Sequence, residues 1–131
     1  MTNTFTHDTL YELSEELQQL LGDDLRGILF GDFLEGDYSV IYLHDEVTTS
    51  LDPGQIQELS TTLINEQIDA HGTESLEHIV GELTTTVRCF EATTQILAWD
   101  PREETGVFVG MEPDAGHISP VIETLRAYEL A

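Results

Sequence analysis

The chain has 131 residues, with 26 carboxylates against four arginines and no lysine, for a formal net charge of −22. Four scattered arginines cannot neutralise many phosphates, which excludes a nucleic-acid-binding surface, while a 40% hydrophobic content recurring at helix and strand periods excludes an acidic disordered segment. Lysine is among the commonest residues of an average domain. Its absence points to a protein that works in multimolar salt, where the screening length falls to about 3 Å, against about 30 Å near about 0.01 M.

Thr9 to Leu21 sets Leu10, Leu13, Leu17, Leu20 and Leu21 at helical spacing, with Thr9 and Glu12 spaced as a capping box and Gly22 placed to end the helix. Leu25 to Phe33 and Tyr38 to Leu43 are rich in β-formers and flank the turn residues Glu35, Gly36 and Asp37, so they read as a hairpin. The best helix start follows. Asp52 stands as N-cap, Pro53 takes the first helical position, Gln55 reaches back, and Leu51 can staple onto Ile56. Ile56, Leu59, Leu63, Ile64 and Ile68 form its stripe, and His71 with Gly72 ends it. A shorter helix capped by Thr73 carries Leu76, Ile79, Val80 and Leu83 on one side and breaks near the threonines 84–86. Three strands come next, Thr86 to Glu91, Gln95 to Trp99 and Gly106 to Met111, joined by turns at Ala92 to Thr94 and Pro101 to Thr105. Ser119 and Pro120 open a last helix with Val121, Ile122, Leu125 and Tyr128 facing inward.

The length suits one domain over residues 1–131, because two would each be too small for a core. Cys89 has no partner for an internal disulfide and lies in an alternating apolar stretch, where a small buried hydrophobe is expected. Met1 to Asp8 has neither a basic region nor an apolar run, so no secretory signal is expected. No stretch approaches the roughly 18 apolar residues of a membrane span. A halophile's cytoplasm is the expected location.

Helix, two strands, one or two helices, three strands and a helix is the order of two α+β architectures, each with a five-stranded, mostly antiparallel sheet. The first is the roadblock or dynein light chain 7 type, profilin-like in its element order, with helices on both faces. The second is the PAS type, with the crossover helices on a single face and a ligand cavity beneath them. The runs Ile28 to Phe30, Val40 to Leu43, Ile96 to Trp99 and Val107 to Val109 are apolar on both alternating faces, which favours strands covered on both sides and so the roadblock arrangement. More locally, YSVIYLHDEV (38–47), TVRCFE (86–91) and GVFVGMEPDAG (106–116) resemble a family of small acidic haloarchaeal proteins of unknown function.

Site chemistry is sparse. His44, Asp45 and Glu46 are consecutive at a strand end, where neighbours point to opposite faces, so they are not expected to converge on an ion. His71 and His78 straddle Gly72 without a zinc spacing, and solvated helix ends explain both. His117, Ser119 and Asp114 share one loop, and Ser119 is explained as a helix cap rather than a nucleophile. Neither a Walker nor a dinucleotide pattern is present. Phe30, Tyr38, Tyr42, Trp99 and Phe108 are expected in the core. No catalytic residue, cofactor or metal is assigned, and an enzyme is not expected.

Association is the remaining expectation. An open sheet has two edges, and the strand Tyr38 to Leu43 carries no guarding lysine or proline, while Thr84 to Phe90 has Arg88 alone. The roadblock resemblance implies a homodimer built through the third strand and the middle helix, here Thr86 to Phe90 with the outer side of Asp52 to Ala70. Ile64, Val87, Arg88 and Cys89 are the candidate interface residues. It also implies a non-catalytic scaffold or regulator of a small GTPase or other nucleotide-binding partner. A PAS-like sensor of a small molecule is the alternative.

Overall fold

Helix α1 (His7–Leu21) ends where Gly22 takes φ +57°, a conformation that costs a residue with a Cβ and lets the chain turn through a short 3-10 segment into the sheet. The molecule is a computed structural model that describes residues 7–32, 37–71, 78–100 and 105–128, with side chains for all of these except 7, 37, 64 and 67–71. Its strands are β1 (Leu25–Asp32), β2 (Asp37–Leu43), β3 (Thr85–Cys89), β4 (Thr94–Asp100) and β5 (Thr105–Met111). They form one sheet in the order β2-β1-β5-β4-β3, every neighbour antiparallel. The helices after α1 are α2 (Asp45–Ser50), α3 (Pro53–His71) and α4 (Ile118–Ala127).

One sheet face carries the main core. Leu13, Leu17 and Leu21 of α1 and Val121 and Leu125 of α4 close over Ile28, Ile96, Ala98, Val107 and Val109, and all are buried. Each such side chain contributes about 1.5–3 kcal/mol on leaving water, which the i, i+4 stripe of α1 concentrates on one seam. Leu20, expected inward, is 43% exposed instead, because it lies a residue off that seam.

The opposite face belongs to α3, where Ser60 and Leu63 are buried above Leu29, Gly31, Leu97 and Phe108. Helices thus cover both faces, as the apolar β4 and β5 require: both are buried along their whole length save for Phe108. This is the five-stranded α+β roadblock-type architecture rather than the PAS-type arrangement of helices on a single face. Strand β2 departs from the expectation of two covered faces. It is an edge, and Val40 is 45% exposed.

Several local expectations meet a different outcome. Thr9 does not open α1, since the helix already includes His7 and places Thr9 in its first turn. Helix α2 is not expected from the sequence, because its six residues include Val47, Thr48 and Thr49, whose β-branched side chains disfavour helix. It forms because the His44 Nδ1 accepts from the Glu46 N–H at 3.1 Å and caps its start. At α4 the cap expected of Ser119 is absent: Ser119 lies inside the first turn, the N-cap position is His117 with no side-chain bond, and the chain enters through a 3-10 turn (Ala115–His117) that Asp114 caps by accepting from the Gly116 N–H at 2.9 Å. Of the short helix after α3, residues 72–77 lie outside the described ones, His78 to Val80 are helical, and Ile79 and Val80 are exposed rather than inward. The expected turns at Glu35 to Asp37 and Pro101 to Thr105 fall largely on residues 33–36 and 101–104, which also lie outside.

Candidate functional site

Strand β3 has a free side, and its backbone phase can be read from two bonds. The Trp99 N–H donates to the Thr84 carbonyl at 2.8 Å, and the Phe90 N–H donates to the Thr93 carbonyl at 2.8 Å. In the unbroken register of Thr85 with Ala98 through Cys89 with Thr94, these put residues 84, 86, 88 and 90 in the hydrogen-bonded pairs with β4. The N–H and C=O groups of Thr85, Val87 and Cys89 therefore point away from the sheet. Val87 pairs with Ile96 and shares the face of the main core, but neither α1 nor α4 extends over the edge, so Val87 and Cys89 are exposed. This corrects the expectation of a buried Cys89. Phe90, just past the strand and in phase with Arg88, is 51% exposed.

Arg88 projects to the other face and forms an ion pair with Glu66 of α3, which ties the middle helix to the edge strand. Of the four candidate interface residues, Val87, Arg88 and Cys89 are thus adjacent on one open edge, beside α3. The Ile64 side chain lies outside the described residues; its backbone belongs to the same helix.

The start of α3 is the reciprocal cap that its sequence dictates. Asp52 Oδ1 accepts from the Gln55 N–H at 2.8 Å, and Gln55 Oε1 accepts from the Asp52 N–H at 3.0 Å. The second edge, β2, differs from β3 in being interrupted. Its register with β1 shifts between the pairs Ile28 with Tyr42 and Leu29 with Val40, leaving Ile41 as an extra residue. A bulge of this kind blunts an edge, whereas β3 is regular.

A second bulge sits in β1, where Leu25 pairs with Met111 and Gly27 with Gly110, so Arg26 is the extra residue. The bulge aims Arg26 at two carboxylates: it bonds Glu46 of α2 at 2.8 Å and also Glu112 after β5. Desolvation acts to lower the Arg26 pKa, but Glu112 and then Glu46 outweigh it, and the guanidinium titrates above its ordinary value. His44 and Glu46 share Arg26, whose guanidinium lies 3.3 Å from His44 Nδ1 and 2.8 Å from the Glu46 carboxylate, while His44 Nε2 lies 3.4 Å from Asp23. Near them the loop residues regroup in a way that the sequence did not suggest. His117 Nε2 lies 2.8 Å from Asp24 and 3.6 Å from Asp114, and one donor atom from each of these three residues falls within 4.8 Å of the others. The His117–Asp24 contact is a hydrogen bond that fastens the entry of β1 to the start of α4. Ser119 takes no part in it, and His78 is exposed.

Among solved structures, MglB of Myxococcus xanthus has this fold, with a TM-score of 0.63 at 12% identity over 99% of this chain and 90% of that one. The gliding protein MglB of Thermus thermophilus has it too, with a TM-score of 0.61 at 18% identity over 95% and 86% of the two chains. At these identities the likeness establishes a shared roadblock-type fold and no more. No curated protein matches the sequence. No helix among the described residues is long and apolar enough to cross a membrane. Residues 11–129 match the model of the domain of unknown function DUF7522, and the chain belongs to that family.

Proposed function

We propose that this chain is a non-catalytic, homodimeric interaction module that acts as a scaffold or regulator of a nucleotide-binding protein such as a small GTPase, in the cytoplasm of a halophilic archaeon. The observation that carries the reading is the regular, open β3 edge. It presents three outward backbone donors and acceptors beside exposed Val87, Cys89 and Phe90. A flat apolar edge with no proline or bulge is a template for strand pairing, and a second copy paired there antiparallel would continue the sheet across a two-fold axis. The roadblock-type fold supports the GTPase part by analogy alone.

Light scattering in about 2 M KCl, where surface charge is screened, tests the dimer. Twice the 14.6 kDa of the single chain is expected. A single-chain mass over the whole micromolar range would sink the dimer. The partner is tested by adding the protein to a small GTPase from a halophilic archaeon and measuring nucleotide release and hydrolysis. No change in either rate and no co-migration would remove the regulatory role.

A further inference from the structure

Three side chains from separate elements meet where the chain enters β1. Asp24 ends the 3-10 turn before that strand, Asp114 follows β5, and His117 stands at the start of α4. His117 Nε2 lies 2.8 Å from Asp24 Oδ2 and 3.6 Å from Asp114 Oδ2. Ligand atoms about 2.0–2.2 Å from a shared ion, at right or tetrahedral angles, stand roughly 2.8–3.6 Å apart, so both separations already match a coordination shell. A single imidazole nitrogen carries at most one proton and can satisfy only one of the two carboxylates. An ion in place of that proton satisfies both.

The three residues are held in place by bonds that do not involve the ligand atoms. Asp114 Oδ1 accepts from the Gly116 N–H at 2.9 Å, which leaves Oδ2 for the imidazole. The Asp24 carbonyl accepts from the Glu112 N–H at 2.7 Å, and the Asp114 carbonyl accepts from the His117 N–H at 3.0 Å. Asp24 and Asp114 also line an open, polar pocket of about 390 Å³, together with the carboxylates of Asp23, Glu46 and Glu112 and the guanidinium of Arg26. Arg26 is already engaged by Glu46 and Glu112. The charge of Asp24 and Asp114 is therefore left to a cation from solution, and the pocket gives that cation a way in.

The donor set narrows the ion. One imidazole nitrogen with two carboxylate oxygens suits a first-row transition ion such as zinc, whereas magnesium favours oxygen ligands and keeps most of its water. We propose that Asp24, Asp114 and His117 bind one divalent transition-metal ion of the zinc class, with its remaining coordination open to the pocket. Three protein ligands and an open position form a site that can still take water or a small anionic ligand. Bound there, the ion clasps the entry of β1 to the start of α4 and stabilises the folded chain in proportion to its occupancy. The site is separate from the β3 edge and does not depend on the dimer.

Zinc chloride titrated into the full chain in molar KCl is the test, read by calorimetry and by NMR of the histidine rings. At about 1 M salt the screening length is about 3 Å, so binding that persists there is coordination and not attraction to a surface of net charge −22. One zinc per chain is expected, with saturable shifts at the His117 ring, a raised melting temperature, and no competition from an equal concentration of magnesium. His117→Gln, Asp24→Asn and Asp114→Asn should each weaken zinc by at least the roughly tenfold that even an outer-shell partner is worth. Asp114→Asn keeps an oxygen for the Gly116 N–H, so its fold should be intact by circular dichroism. His44→Gln and Cys89→Ser should leave the affinity unchanged. Absence of binding, or zinc shifts in the unmodified chain that spare His117, overturns the site without recourse to any variant. Equal affinity for magnesium overturns the role of the imidazole.

Discussion

Val87 and Arg88 are neighbours on β3, yet their backbone groups serve opposite sides: Arg88 is in a hydrogen-bonded pair with Gln95 of β4, and Val87 turns its N–H to the open edge. Their side chains divide likewise. Val87 lies with the main-core face, and Arg88 reaches Glu66 on α3. Proline at the two positions therefore has different consequences. Arg88→Pro would break the ladder inside the protein, so it is a test of folding and not of association.

Val87→Pro removes only an outward donor, and an edge strand tolerates proline on that side. The expected result is a well-folded chain by circular dichroism whose mass by light scattering falls to that of the monomer. A Val87→Pro protein that remains a dimer would place the interface elsewhere, and the Ile79 and Val80 surface, 79% and 71% exposed, would be the next region to test.

The cap on α3 should be measurable alone. Asp52→Ala loses the bond to the Gln55 N–H and should cost about 1 kcal/mol in urea unfolding at high salt. Gln55→Ala loses the return bond and should cost less, because the Asp52 N–H is near solvent. Equal stability of Asp52→Ala and the unmodified chain would contradict the reciprocal cap.

Salt should govern folding as a whole. A net charge of −22 repels itself over roughly 30 Å at about 0.01 M salt and over about 3 Å at about 1 M. Melting temperature followed by circular dichroism is expected to rise steeply as KCl increases across that range. A flat series would remove the halophilic reading of the surface.

Tyr128 carries a pH dependence at the alkaline end. Burial, then the charge of Glu16 and a hydrogen bond with it, then Glu12, raise its phenol above the ordinary value of 10.0. The folded state thus holds the proton more tightly than the unfolded chain. The contribution is complete below pH 10.0 and is lost as pH rises through the folded-state value. Tyr128→Phe should therefore flatten the loss of stability above that pH, and tyrosinate absorbance should show one tyrosine fewer titrating late. An identical alkaline limb in the variant would mean that Tyr128 does not discriminate between the two states.

Much of the element order is local chemistry and was legible in the sequence. The leucine spacing from Leu10 to Leu21 made α1, Gly22 ended it, and Asp52-Pro53-Gly54-Gln55 carried the whole start of α3, because caps and periods depend on residues three or four apart. The apolar β4 and β5 announced a sheet covered on two faces for the same reason. What only the tertiary structure decided depends on partners far apart in the chain. The order β2-β1-β5-β4-β3 makes β3 an edge, and so exposes a Cys89 whose alternating neighbours look like core. His117 meets Asp24 across 93 residues, and a bulge at Arg26 turns it to Glu46 and Glu112, contacts that no spacing rule encodes. Gly27 and Gly110 come to face each other, beneath the Leu43 and Phe108 side chains, only when antiparallel pairing of β1 with β5 sets the two residues opposite.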